Sequence, residues 1–248
     1  MFFKERLARE GEVLAGVLSA IPSAVAAQAI AAAGADFLVI DREHGPIGRE
    51  ALQAMIAATA GTECAPLVRV PGIDEAEVKL ALDAGAEGVF FPLVRSAADV
   101  ERCVAAVRYP PAGTRGWGPF VAASRHGVSA AEYSRVVGPY VTCCVQIETF
   151  EAVQGIEEIV RVPGVDLVMI APYDLSSALG VEGQFDAPSF VDAVAAVERA
   201  VASAGIPLCG VALSEPRARE LLGRGGYRAL LRGVDVFMLA EAVAAFRD

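Results

Sequence analysis

Lysine and histidine are scarce in this sequence. The 248 residues include two lysines, Lys4 and Lys79, and two histidines, His44 and His126. Two histidines cannot build a multi-histidine zinc site. Lys4 lies in the N-terminal tail and Lys79 within a predicted helix, so neither stands at a strand end, where a Schiff-base lysine would act. The scarcity therefore excludes mechanisms that depend on either arrangement.

Long hydrophobic segments, basic clusters and metal-type cysteine pairs are also missing. No apolar run approaches the roughly 20 residues that cross a bilayer, and the N-terminus lacks a signal-peptide core. The formal charge of −10 disfavours nucleic acid, because phosphate binding needs a basic face. The five cysteines have no CxxC spacing, and the adjacent Cys143 and Cys144 should point to opposite faces of a strand. We predict a cytoplasmic protein with reduced thiols and no nucleic-acid or membrane partner.

The sequence alternates regularly between apolar runs and alanine-rich amphipathic stretches. The apolar runs predict strands at residues 14–18, 37–40, 66–70, 88–92, 141–147, 166–170, 207–212 and 227–231. The other stretches predict helices at residues 23–33, 49–60, 75–84, 97–107, 189–204 and 215–223. This order predicts an α/β fold, a single (β/α)8 TIM barrel domain over residues 1–248. A doubly wound open sheet is the alternative, because periodicity does not show closure.

Two further segments lie outside the simple alternation. Residues 110–127 form a long glycine-rich connection that includes the only tryptophan. We expect a packed surface loop, with closure of Arg115 over an anion as the alternative. Residues 236–246 predict an apolar helix that either completes the barrel or docks on a neighbouring subunit.

Charged and polar side chains gather where the predicted strands end. The second strand stops in Asp41-Arg42-Glu43-His44, the third ends in Arg69, the fifth continues into Gln146-Ile147-Glu148, and the sixth runs into Asp174. The carboxyl ends of parallel strands meet at one edge, where barrel enzymes carry out their chemistry. Each acid alone could simply favour the positive end of a following helix. Their convergence indicates an active site.

These residue types suit the formation of an enolate. Glu148 and Asp174 offer hard oxygen ligands for Mg²⁺ or Mn²⁺. Arg69 can bind a carboxylate or stabilise an enolate, and His44 can move protons near neutral pH. The combination predicts cleavage or formation of a carbon–carbon bond, or decarboxylation, of a 2-oxo acid. Because no lysine stands at a strand end, the expected charge sink is a metal ion.

Five motifs closely resemble the HpcH/HpaI aldolase family, the metal-dependent (class II) pyruvate aldolases of the phosphoenolpyruvate/pyruvate barrel type. They are Asp41-Arg42-Glu43-His44-Gly45-Pro46, Val68-Arg69-Val70-Pro71, Arg108-Tyr109-Pro110-Pro111-Ala112-Gly113-Thr114-Arg115-Gly116, Val145-Gln146-Ile147-Glu148-Thr149 and Pro172-Tyr173-Asp174-Leu175-Ser176. The resemblance covers nearly the whole chain. It implies cleavage of a 4-hydroxy-2-oxo acid, such as 4-hydroxy-2-oxoheptanedioate or a 2-keto-3-deoxy sugar acid, to pyruvate and an aldehyde.

The same resemblance implies a role for each matching residue. His44 would take the proton from the substrate hydroxyl, with Asp83 tuning it, and Arg69 would stabilise the enolate beside Asp41. Glu148 and Asp174 would hold Mg²⁺, Mn²⁺ or Co²⁺. The residues that would touch the oxo acid are Gln146, Ala171, Pro172, Tyr173 and Asp174. A trimer-based homohexamer is implied, with the terminal helix packed on, or swapped with, a neighbour.

The chain departs from the family pattern at three places. Ala171-Pro172-Tyr173-Asp174 replaces the usual Gly-Pro-Ala-Asp, which would narrow the site or change the oxo acid that fits. Leu18 stands where an aromatic is common, and Arg232 replaces an apolar residue. Arg232 would bind an anionic group of the aldehyde or lie at a surface or subunit interface. The alternative functions are a CoA-thioester lyase, a 2-oxo acid decarboxylase and a non-catalytic oxo-acid-binding or scaffold barrel.

Overall fold

Eight parallel strands close into a barrel in the computed structural model, which describes residues 1–247. The strands pair in sequence order, and β8 pairs with β1. They are β1 Leu14–Ser19, β2 Phe37–Asp41, β3 Ala65–Arg69, β4 Gly88–Phe91, β5 Thr142–Ile147, β6 Leu167–Ile170, β7 Leu208–Val211 and β8 Tyr227–Val234. All eight predicted strands form. The closure confirms the TIM barrel and rejects the open sheet.

Helices connect the strands and cover the outside of the barrel. Their bounds are α1 Phe3–Leu7, α2 Ala24–Ala32, α3 Arg49–Ala58, α4 Glu75–Asp83, α5 Ala97–Val107, α6 Phe120–Arg125, α7 Ala130–Val136, α8 Phe150–Gln154, α9 Ile156–Ile159, α10 Pro172–Ala178, α11 Pro188–Ser203, α12 Glu215–Arg224 and α13 Asp235–Ala244, with a 3₁₀ turn at Gly138–Tyr140. Side chains cap several N-termini: Asp74 accepts backbone N–H bonds at α4, and Ser96 accepts one at α5. The predicted helices all form. Six short helices have no predicted range: α1 at the N-terminus, α6 and α7 in and beyond the long connection, α8 and α9 after β5, and α10 after β6.

The side chains of each strand divide between two hydrophobic cores. Phe37 and Val39 of β2 face the barrel interior, whereas Leu38 and Ile40 pack against the helices. This alternation follows from the two-residue repeat of a strand. It also separates the adjacent Cys143 and Cys144, one in each core, as predicted. All five cysteines lie within the described residues, are buried and form no disulfide.

A short helix closes the amino end of the barrel. Phe3 of α1 is buried and its ring centroid lies 5.2 Å from that of Phe37 on the floor of the interior. Gly16 of β1 faces the same ring, and a Cβ at this position would overlap it. The glycine therefore makes room for the aromatic pair that fills this end.

The path of the chain assigns every connection to one end of the barrel. Each outer helix runs back from the carboxyl ends of the strands to their amino ends, because the strands are parallel. The 110–127 connection leads into β5 and therefore lies at the amino end of the barrel. Asp83, the last residue of α4, lies at the same end. The Arg115 side chain is fully buried and hydrogen-bonded to Asp83, as the packed-loop interpretation predicts.

The last helix, α13, presents an exposed apolar surface. Val236, Phe237, Met238, Leu239 and Val243 are each at least 40% exposed. The helix is anchored through buried Asp235, which accepts hydrogen bonds from the Ser19 hydroxyl at 2.6 Å and from the backbone of Ala20 and Ile21. Within residues 1–247, no helix combines the length and apolar character needed to cross a membrane.

Candidate active site

A buried ion pair joins the ends of β2 and β3. Asp41 and Arg69 are register partners, and the guanidinium donates two hydrogen bonds to the carboxylate, Nε to Oδ1 at 2.9 Å and Nη2 to Oδ2 at 2.8 Å. Both side chains are less than 10% exposed. The strand repeat explains the pairing, because Asp41 continues the interior-facing Phe37 and Val39. Arg69 is thereby fixed in one orientation at the carboxyl end of the barrel.

The pair keeps both groups ionised. Burial alone would raise the pKa of Asp41, but the hydrogen bonds and positive charge of Arg69 outweigh it and lower that pKa below its usual value. Burial likewise acts to lower the pKa of Arg69, and the carboxylates of Asp41 and Glu43 raise it instead. Asp41 also accepts backbone N–H bonds from Glu43 at 3.0 Å and His44 at 3.3 Å. One carboxylate therefore orients both Arg69 and the turn that carries His44.

Glu148 is held rigidly at the end of β5. It is 3% exposed and accepts hydrogen bonds from the backbone N–H of Leu93 at 2.6 Å and from Gln146 Nε2 at 2.9 Å. Leu93 is the only non-glycine residue among those described with a left-handed backbone, at φ 58°. That uncommon conformation occurs where its N–H meets the Glu148 carboxylate. Burial, together with the nearby Glu43 and Asp174 carboxylates, raises the pKa of Glu148 to about 7, against the lowering effects of the Leu93 N–H and the Arg69 charge.

Glu43 joins this group, although no separate role is predicted for it from the sequence. Its Oε2 lies 3.3 Å from Arg69 Nε, and the carboxyl is mostly buried without an ordinary hydrogen bond. Burial raises the pKa of Glu43 to about 6, with Asp41 and Asp174 adding to the shift against the opposing charge of Arg69. In the sequence, only its position between Asp41 and His44 indicates that Glu43 belongs to the site. The burial that distinguishes it depends on strands distant in sequence.

The segment after β6 brings the remaining predicted residues to the same end. Ala171 is buried, and its backbone N–H donates to the carbonyl of Ile147 at 3.3 Å. Pro172 begins α10, a position that proline favours, and Asp174 lies exposed in its first turn. Tyr173 is 57% exposed beside it. Ala171 thus packs in the barrel interior, and Pro172, Tyr173 and Asp174 lie at the carboxyl-end opening of the barrel.

The oxygen atoms at this end suit a divalent cation whose coordination is completed by ligands from outside the protein. Glu148, Glu43 and Asp174 raise one another's electrostatic energy, and Glu43 Oε2 and Gln146 Oε1 are buried without hydrogen-bond partners. A hard cation would relieve both features. No group of three or more His, Cys, Asp or Glu side chains within residues 1–247 is close enough to form a complete metal site. Water and substrate oxygens would have to supply the remaining ligands.

His44 stands at the rim of this cluster. Its side chain is 66% exposed, and Nε2 lies 3.9 Å from Glu43 Oε1, beyond hydrogen-bond distance. Asp83, implied as its tuning partner, is not brought to it within the chain. Asp83 accepts a 2.9 Å hydrogen bond from Arg115 at the amino end of the barrel, because α4 runs back along the strands. Within one chain, Asp83 therefore does not reach His44, and its tuning role stays a prediction.

Arg232 is engaged by another side chain. It lies near the carboxyl end of β8 and donates to Glu215 Oε2 at 2.7 Å, and its side chain is 36% exposed. The pairing of β8 with β1 shifts register at this residue, because Leu231 pairs with Gly16 and Gly233 pairs with Val17. The ion pair with exposed Glu215 favours the surface interpretation of Arg232 over a role in binding the aldehyde.

Comparison with known proteins places these features in a family. The description "HpcH/HpaI aldolase/citrate lyase" matches residues 16–242. A hydroxypyruvate/pyruvate aldolase of Roseovarius nubinhibens is 36% identical over 243 residues, covering 96% of this chain and 92% of the relative. A 4-hydroxy-2-oxovalerate aldolase of Novosphingobium aromaticivorans is 38% identical, with 96% and 90% covered. A crystal structure of a family protein from Burkholderia cenocepacia J2315 has a TM-score of 0.90 at 32% identity, covering 98% and 97%.

Proposed function

Because the chain belongs to the HpcH/HpaI aldolase/citrate lyase family and is an aldolase, a carbon–carbon lyase, we propose that it reversibly cleaves a 4-hydroxy-2-oxo acid of the 2-keto-3-deoxy type to pyruvate and an aldehyde. The observation that carries the proposal is the buried Asp41–Arg69 pair beside Glu148, at the end of the barrel where such enzymes act. The family assignment argues against a non-catalytic scaffold.

In the cleavage direction, His44 takes the proton of the C4 hydroxyl. The electrons of that O–H bond form the aldehyde carbonyl, and the C3–C4 bond breaks. Its electron pair forms the C2–C3 double bond of the enolate, while the π electrons of the C2 carbonyl move onto its oxygen. The products are an aldehyde and a pyruvate enolate. The exposure of His44 at the rim supports this role, because a proton taken there can pass to water.

Arg69 stabilises the charge that develops on the enolate. Its Nη1 makes no hydrogen bond within residues 1–247, so this end of the guanidinium is available to substrate. Asp41 acts by positioning Arg69, since its two oxygens hold the other two nitrogens of the fork. Pre-organised donors of this kind need no reorientation when charge appears on the substrate.

Enzymes of this family typically depend on a divalent metal, and Glu148 and Asp174 are the residues proposed to hold it. A bound Mg²⁺, Mn²⁺ or Co²⁺ would supply Lewis acidity to the 2-oxo acid. Gln146 orients Glu148 through its side-chain amide and has a buried oxygen without a partner. Ala171, Pro172 and Tyr173 border the proposed position of the oxo acid.

Assembly into a trimer or hexamer would cover the exposed apolar face of α13. His44 and Asp83 lie at opposite ends of one barrel. In such an assembly, Asp83 would therefore tune the His44 of a neighbouring copy. The size of the assembly follows from sedimentation or light scattering.

Exchange of the pyruvate methyl hydrogens with deuterium tests the proposal without knowledge of the aldehyde. Nuclear magnetic resonance would follow the methyl signal with metal-free protein and after addition of Mg²⁺, Mn²⁺ or Co²⁺, with the paramagnetic ions chelated before reading. We expect exchange that needs metal and falls sharply in Glu148→Ala. A folded wild-type protein that exchanges no methyl hydrogen with any of these ions would refute the proposal.

A further inference from the structure

A cavity opens next to Pro172 and Tyr173, two residues that are proposed to border the oxo acid. It lies between the segments that follow β6 and β7, at the carboxyl end of the barrel, and its volume is about 360 Å³. Small-molecule sites commonly span roughly 300–1,000 Å³. Its lining includes Tyr173, which directly precedes the proposed metal ligand Asp174 in the chain. We call it the Tyr173 cavity.

Aromatic and aliphatic side chains form most of its wall. Tyr173 meets Phe185 edge to face, with ring centroids 5.2 Å apart and planes at 87°. Phe185 in turn packs on buried Phe190 at 5.4 Å, so the chain of rings ties the exposed tyrosine to the core. Leu213, itself 41% exposed, also lines the cavity. The wall is thus apolar, partly open and held in place from behind.

Among the residues that the structure describes, Arg217 is the one charged residue that lines the cavity. Arg217 in the first turns of α12 donates to Glu220 Oε2 through Nη1 at 2.8 Å. Its Nε and Nη2 donate no hydrogen bond within residues 1–247. Two donors of a rigid fork are therefore available to an anionic group inside the cavity.

We propose that the Tyr173 cavity binds the aldehyde half of the reaction and selects aldehydes with a flat apolar body and an anionic group far from the carbonyl. The aldehyde carbon must bond to C3 of pyruvate, so its substituent has to extend away from the oxo-acid site. The cavity adjoins that site through Tyr173 and Pro172. The ring faces would bind the body of the substituent, and Arg217 would bind its charge. This inference deepens the proposed aldolase function and rests on it.

Rates of aldol formation from pyruvate and a graded set of aldehydes test the inference. The set is acetaldehyde, benzaldehyde and 4-carboxybenzaldehyde, measured with the metal-loaded enzyme. We expect kcat/KM to rise at least about tenfold from acetaldehyde to benzaldehyde, and again to 4-carboxybenzaldehyde. In Arg217→Ala the ratio between the last two aldehydes should fall about tenfold or more. Arg219→Ala is the matched control, since Arg219 lies exposed on the same helix and outside the cavity lining.

The outcomes separate this inference from the proposed function. Wild-type protein that exchanges the pyruvate methyl hydrogens but uses acetaldehyde as well as benzaldehyde would overturn the inference and leave the aldolase standing. An Arg217→Ala ratio equal to that of Arg219→Ala would overturn the role of the cation. Absence of methyl exchange in the wild type would remove the function on which the inference depends.

Discussion

The two ends of the barrel each contain a buried arginine paired with an aspartate. Arg69 binds Asp41 at the carboxyl end, and Arg115 binds Asp83 at the amino end, with nitrogen–oxygen distances of 2.8–2.9 Å in both. Their surroundings differ. Arg69 faces further carboxylates, whereas Arg115 lies against the rings of Tyr109 and Tyr133, at 4.5 and 5.5 Å. A buried arginine–aspartate pair alone therefore does not identify a catalytic site. The additional negative charge around Arg69 distinguishes the two pairs.

The largest difference between the two ends of the barrel should appear in metal binding. We expect Glu148→Gln and Asp174→Asn to weaken Mn²⁺ binding by about 100-fold or more, because each removes a charged ligand from a site with few protein ligands. Electron paramagnetic resonance of free Mn²⁺ gives the affinity directly. Asp83→Asn changes a carboxylate at the other end and should leave the affinity unchanged. Equal weakening in all three variants would show that the ends do not differ in this respect.

The amino-end pair should instead contribute to stability. Arg115→Ala leaves Asp83 half-buried without its partner and opens space between two tyrosine rings. We expect the free energy of unfolding to fall by about 2–3 kcal/mol, a value reduced from that of a fully buried pair because Asp83 is 23% exposed. Chemical denaturation of the metal-free protein measures it. A loss below about 0.5 kcal/mol would contradict a structural role for Arg115.

The crowded carboxylates should make metal-free protein less stable as the pH rises. Glu148 has a folded-state pKa of about 7 against an ordinary value of 4.5, so the folded state binds the proton more tightly. Its contribution is fully present below about pH 4.5 and is lost by about pH 7. It should amount to on the order of 2 kcal/mol. Glu148→Gln should flatten this part of the stability profile, and an unchanged slope would refute the raised pKa.

The smallest effect concerns the ring that covers Arg115. The Tyr109 hydroxyl is buried without a hydrogen-bond partner, so Tyr109→Phe keeps the ring and removes an unsatisfied group. We expect no loss of stability, with a change within about 0.5 kcal/mol or a small gain. Tyr109→Leu loses the cation–π contact and should cost about 1 kcal/mol. Thermal unfolding of the two variants separates them, and equal destabilisation would show that the hydroxyl matters.

Much of the fold was predictable because its signals are local. Each strand is a short apolar run bounded by turn residues, and helix starts such as Asp74 have their own capping signals. The helices α6 and α7 were missed because their glycine-rich surroundings indicate a loop. Barrel closure was not decidable from periodicity, since it depends on the pairing of β1 with β8 across the whole chain.

The site was predictable in part. Strand ends placed Asp41, Arg69, Glu148 and Asp174 at one edge. The burial of Glu43 and the left-handed Leu93 that holds Glu148 depend on long-range packing, which leaves no local pattern. Asp83 resembled a family residue by position alone, and the direction of α4 decides which end it reaches.

Pyruvate methyl exchange measured side by side in Arg69→Lys and Arg115→Lys tests the central claim most directly. Both variants keep the positive charge and lose the planar fork that pairs with an aspartate. With Mg²⁺ present, we expect exchange to fall by about 100-fold in Arg69→Lys, because the fixed donor to the enolate is lost. Folded Arg115→Lys should retain most of the wild-type rate. Equal losses in the two variants, or a greater loss in Arg115→Lys, would contradict the assignment of the chemistry to the carboxyl end.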